Sequence, residues 1–160
     1  MTSSTLFISV LLSLLPISEL RGGIPYAYFN GVSLWLATPL CILTNALVAP
    51  IAYTFLATLH KFFHAHWAWY ASFFDRFVAN AQKKVHPKVS RYGYWGILLF
   101  VAIPLPVTGA WTGTLGSWIM GLDKRKTMMA VFGGVIVSGL IVTSLVILGV
   151  GIDSVFIKRI

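Results

Sequence analysis

Glu19 and Arg21 stand two residues apart in Ser18-Glu19-Leu20-Arg21-Gly22-Gly23-Ile24-Pro25. Glu19 is the only acidic residue in the N-terminal half of an otherwise apolar core. A carboxylate kept inside such a core is costly and marks ion or substrate pathways. It can carry a proton, attract a cation or pair with Arg21. A guanidinium suits phosphate-like anions, so Arg21 can hold an anionic head or simply neutralise Glu19. Gly22, Gly23 and Gly109 offer backbone N–H groups beside helix starts, where anions are favoured; glycine also serves turns. A second cluster follows far along the chain, Pro104-Leu105-Pro106-Val107-Thr108-Gly109-Ala110-Trp111-Thr112-Gly113-Thr114. Thr108, Thr112 and Thr114 supply hydroxyls that face a site or bond back to their own helix. Trp111 lines a cavity or sits in the packing. Glu19, Arg21, Gly22, Gly23, Pro25, Pro104, Pro106, Thr108, Gly109, Trp111 and Thr112 form the candidate substrate or coupling-ion set.

Other chemistry is not expected. No nucleophile–base set, P-loop or dinucleotide fingerprint occurs, so neither catalysis nor a cofactor is predicted. His60 and His64 share a helix face, but no carboxylate or thiol joins them and His66 at ligand spacing. No metal is therefore expected. Cys41, the single cysteine, lies in an apolar run as a packing residue.

The elements that must hold these residues belong in a membrane. Of 160 residues, 58% are hydrophobic and 10% charged, against about 25% charged in a soluble domain. Lipid must be the outer solvent. The net charge of +8 sits in short blocks between apolar segments. That suits anionic headgroups and not nucleic acid.

Residues 6–15 are a first apolar run, ended by Pro16. The N-terminus carries no early cation and no small-residue cleavage site, so this run is expected to be kept as structure. The break at 19–25 follows. Apolar sequence resumes from 26 to 59, interrupted by Pro39 and Pro50, with a span predicted at 40–59. Residues 60–91 interleave basic and aromatic side chains at helical spacing, as in an amphipathic helix in the cytoplasmic interface. Residues 93–122 are apolar but broken at 104–109; 127–152 form a last span. The Gly109-x-x-x-Gly113 and Gly134-x-x-x-Ser138 spacings permit close helix approach, within the chain or in a homo-oligomer.

Both flanks of 93–122 are basic, and short basic loops prefer the cytoplasm. Two full spans need about 40 apolar residues, and only about 30 lie there, so the segment is expected to enter and leave on one side. The first half has the same layout. The expected fold is all-α and integral to the membrane. It forms one domain over 1–160, divided at 1–59, 60–91 and 92–152. Two re-entrant hairpins in inverted repeat are each followed by a transmembrane helix. Their tips meet near the midplane, and Lys158 and Arg159 lie outside.

The motif at 18–25 and Val101-Ala-Ile-Pro-Leu-Pro-Val-Thr-Gly-Ala-Trp-Thr-Gly113 resemble those of the small multidrug export protein family. More distantly, the layout resembles the DedA/VTT superfamily, whose members are described with two facing re-entrant hairpins. That resemblance implies lipid scrambling or transfer of undecaprenyl phosphate, with Glu19 matching the acidic first motif. The second motif of that superfamily carries arginines, and 104–113 has none, which leaves Arg21 as the candidate phosphate holder.

The function expected is a transporter or flippase-like protein of the plasma membrane. It would move an amphipathic or lipid-linked molecule, proton-coupled through Glu19. A passive lipid scramblase and a non-transporting scaffold are the competing readings.

Overall fold

A computed structural model describes residues 2–67, 69, 72, 75–76, 93–105 and 108–157. The described residues form helices, with short turns between α1 and α4 and between α6 and α7. In chain order they are α1 (Thr2–Leu14), α2 (Glu19–Phe29), α3 (Leu34–Ala46), α4 (Val48–His66), α5 (Gly93–Ala102), α6 (Ala110–Ile119) and α7 (Lys124–Ile157).

Two apolar stretches are long enough to cross a bilayer. One is Leu34–Leu56, through α3 into α4, with a mean hydropathy of 1.7; the other is Lys124–Gly149 in α7, at 2.5. The first begins before the expected residue 40, because Pro39 is accommodated inside α3. Its joint at Leu47 follows from Pro50, whose missing donor and ring interrupt the ladder. There Leu47 N–H is shared between the carbonyls of Leu43 and Thr44. α7 outruns the expected 127–152 at both ends.

The first break lies at residues 15–18, earlier than the 19–25 expected. Pro16 turns the chain, whereas Pro25 is held inside α2. Gly22 and Gly23 are helical and serve packing, and Gly22 N–H is taken by the Ser18 carbonyl. A Cβ on Gly23 would collide with Ser13 Oγ and lie 2.8 Å from the Ser9 carbonyl. Gly23 therefore lets α2 press against α1, Gly22 lies close against Ser18 of the turn, and neither serves as the start of a helix open to an anion. The second break falls where expected, between α5 and α6. Pro106 lies outside the described residues.

The interfacial helix expected over 60–91 is only partly described. His60 to His66 are the last turns of α4, which ends at Trp67. Phe63 stacks on Trp67 and Phe62 on His66 there. Most of 68–91, and Lys158 and Arg159, lie outside the described residues.

α7 serves as a ruler for the other helices. At its start, Lys124 Nζ stands over the Tyr53 ring of α4, and Lys126 Nζ over Tyr94 of α5. Tyr94 Oη accepts Asp123 N–H at 3.3 Å. The beginning of α5 and the loop leaving α6 thus meet at one end of α7. Further along, Gly133 and Gly134 receive Leu98, and Gly134 receives Val101. Gly113 of α6 is closed against Val101. At Gly139, α7 meets Ile42 of α3 and Leu20 of α2. Thr143 shares a 2.7 Å hydrogen bond with Thr38. Beyond it, Leu145, Val146 and Gly149 share a groove with Pro25 and Phe29. α3 and α4 run antiparallel to α7; α2 runs from the middle of α7 towards its far end. The core follows this contact line through Leu20, Ile24, Cys41, Val48, Val101, Val131 and Val135. The small-residue spacings at 113 and 134 are used within the chain.

Asn45 ties the first hairpin to α3. It is 1% exposed, and its Nδ2 donates to the Ser13 carbonyl at 2.7 Å. That carbonyl belongs to the last turn of α1, which has no helical donor left. Replacing Asn45 with Ala leaves it unsatisfied, at an expected cost of about 1–3 kcal/mol. Denaturant unfolding in detergent micelles measures this.

Candidate functional site

The site begins with the C-terminal end of α1, because its carbonyls must find donors once Pro16 has stopped the helix. Four contacts supply them. Leu12 O accepts from Ser18 Oγ and Ser13 O from Asn45. Leu14 O accepts from the Trp111 indole at 2.8 Å, and Leu15 O from Glu19 N–H at 3.1 Å. Trp111 reaches this end across 97 residues of sequence.

The break before α6 is closed in the same way. Thr108 Oγ donates towards the carbonyls of Ile103 and Leu105 at 2.6 and 2.9 Å, and accepts from Leu105 N–H at 3.2 Å. Thr108 N–H returns to Leu105 O, and Leu105 N–H to Ile103 O. The Thr108 carbonyl receives Arg21 Nη2 at 3.4 Å. Thr112 Oγ and Gly113 N–H both donate to the Gly109 carbonyl.

Glu19 joins the two breaks. Its side chain leaves α2 and is 6% exposed. Oε1 accepts Trp111 N–H at 3.4 Å. A carboxylate therefore occupies the N-terminal end of α6, where unpaired N–H groups and the helix dipole favour negative charge. Gly109 makes the room, since a Cβ there would overlap the Glu19 carboxylate. Glu19 holds φ at +46°, in the left-handed region that non-glycine residues seldom adopt.

Arg21 is half-buried. It lines a groove of about 370 Å³ with Pro25, Phe29, Pro104 and, from α7, Val142, Leu145, Val146 and Gly149. Arg21 is the only charged side chain among these lining residues.

Glu19, Arg21, Thr108, Gly109 and Trp111 are thus brought together, with Thr112 one helical turn beyond Gly109. Pro25 and Pro104 both line the groove. Thr114 is buried, and its hydroxyl lacks a partner among the described residues. Asn45, Ser18 and the α7 wall of the groove did not emerge from the sequence. Asn45 carried a usable signal, as an amide inside a span; the α7 wall is ordinary apolar helix.

A family model described as "Putative small multi-drug export protein" matches residues 19–141. The chain belongs to that family. The match opens on Glu19, just after the first break, and takes in α2 to α6, the second break and the first half of α7. No curated protein and no solved structure matches the chain. With the two apolar helices long enough to cross a bilayer, membership makes this a membrane protein of an export family.

Proposed function

We propose that the protein is a multi-pass plasma-membrane transporter, moving an amphipathic anion past the junction of two opposed re-entrant hairpins. Glu19 carries the coupling proton in this reading, and Arg21 receives the anionic head. The observation that carries it is the closure of both breaks on each other through Glu19, Trp111 and Arg21. Irregular backbone survives at membrane depth only where protein or a water-lined cavity satisfies it.

The register along α7 supports opposed insertion. α5 and α6 have ten residues each, about 15 Å of helix, half of a hydrocarbon core about 30 Å thick. They begin and end near Asp123 at one end of α7. α2 starts near Gly139 and heads for the other end. Two short hairpins entering from opposite faces and meeting mid-depth match the inverted-repeat arrangement of transporters. Lys124, Arg125 and Lys126 assign the start of α7 to the cytoplasm.

The groove's chemistry supports an amphipathic anion. Its described walls are apolar, and the one charged side chain among the described lining residues is the cation Arg21. The φ of Glu19 fits a functional carboxylate, because such strain costs about 1–3 kcal/mol and persists where the surroundings impose it.

Proteoliposomes loaded with anilinonaphthalene sulfonate (an amphipathic anion) or with rhodamine 6G (a cation) test this. The anion is expected to be exported under a proton gradient and the cation retained. Arg21→Ala should remove the anion flux. Equal movement of both probes, or flux untouched by Arg21→Ala, contradicts the reading. Passive scrambling would instead bleach fluorescent lipid with dithionite in the absence of any gradient.

A further inference from the structure

A second groove lies away from the tips, at the basic end of α7. It has about 300 Å³ and is lined by Tyr94, Trp95 and Leu98 of α5 and by Lys126, Met129 and Ala130 of α7. We propose that this groove binds an anionic phospholipid, with its phosphate at Lys126 and an acyl chain along Leu98, Met129 and Ala130.

The groove's depth is set by its own residues. Lys126 lies in the first turn of α7, where the apolar span starts. Tyr94 and Trp95 lie in the first turn of α5, and Trp95 is 73% exposed. Trp and Tyr at a helix start hold the headgroup level of a bilayer. The rest of the groove continues inward from that level and is apolar. It therefore has a charged mouth at the headgroups and a greasy floor along the chains, the polarity profile of a phospholipid.

The charge selects the headgroup. Lys126 Nζ stands 5.7 Å above the Tyr94 ring. This contact fixes the ammonium at the mouth without neutralising it. Lys124 and Arg125 adjoin it. Asp123 is the one acidic neighbour, and its Oδ1 accepts Lys126 N–H at 3.0 Å as the α7 cap. Three cations against one carboxylate leave the loop positive. Basic grooves between membrane helices on the cytoplasmic side take anionic lipid heads. A zwitterionic lipid would place a choline or ethanolamine cation among these charges.

Trp95 is a built-in reporter. The protein is reconstituted into bilayers of unlabelled phosphatidylcholine containing either dibromo-phosphatidylglycerol or dibromo-phosphatidylcholine. The Trp95 signal is the emission of the wild type minus that of Trp95→Phe. Bromine quenching of that signal is expected to be stronger with the glycerol lipid, and the excess should fall as salt is raised. Lys126→Gln should equalise the two lipids. Lys124→Gln, whose ammonium stands over Tyr53 outside the groove, should keep the excess. Equal quenching in the wild type overturns the proposal. So does equal loss in both lysine variants, which would show a diffuse basic surface instead of a groove. Far-UV circular dichroism confirms that each variant is folded.

Discussion

Gly109→Ala is expected to unseat Glu19 and separate the two tips. The added methyl would occupy the volume of the Glu19 carboxylate. The φ of +156° at this position is also one that alanine resists. The carboxylate cannot retreat easily, because its backbone is held at φ +46° and its neighbours are buried. Overpacking of this kind costs about 1–3 kcal/mol. It also displaces an acceptor from Trp111 N–H. Thermal unfolding in detergent should show the loss. The cause is separable by a double-mutant cycle. Glu19→Ala removes the carboxylate that the methyl strikes. Gly109→Ala should then cost less in the Glu19→Ala background than in the wild type. Simple additivity would place the damage elsewhere in the break.

Glu19→Gln is expected to abolish flux while sparing the fold. The amide keeps the side chain's shape and one oxygen for Trp111 N–H, but it cannot exchange a proton. Export of the anionic probe should fall to the level of protein-free vesicles. An imposed pH gradient should then change nothing, whereas it should drive export in the wild type. The scaffold reading makes the opposite forecast: Glu19→Gln lowers the unfolding temperature, and neither protein ever builds a gradient. Measuring both quantities on one preparation decides between them.

The membrane character and the second break were legible from residue type alone. Few charges, long apolar runs, and two prolines beside a glycine each have one dominant physical consequence. The first break was harder. Gly22, Gly23 and Pro25 look like a helix breaker, yet the glycines are spent on close packing, Gly22 against Ser18 and Gly23 against α1. The turn itself rests on Pro16, on Ser18 within it, and on donors from two distant side chains, Asn45 and Trp111. No local pattern announces that an indole 97 residues away caps a helix. The groove wall on α7 was hidden for a related reason. Val142, Leu145 and Val146 resemble every other residue of a spanning helix until their partners are in place.

Labelling of single cysteines by a membrane-impermeant maleimide tests the central arrangement most directly, in a background where buried Cys41 is replaced by Ala. Cysteines at Asn30 and Asp123 mark the open ends of the two hairpins, and those at Ile17 and Leu105 mark the turns. Asn30 should react only from outside and Asp123 only from inside, with Ile17 and Leu105 shielded from both until detergent is added. Rapid reaction of Ile17 from the Asp123 side, or of Leu105 from the Asn30 side, would mean that the hairpins cross the bilayer and that their turns never meet within it.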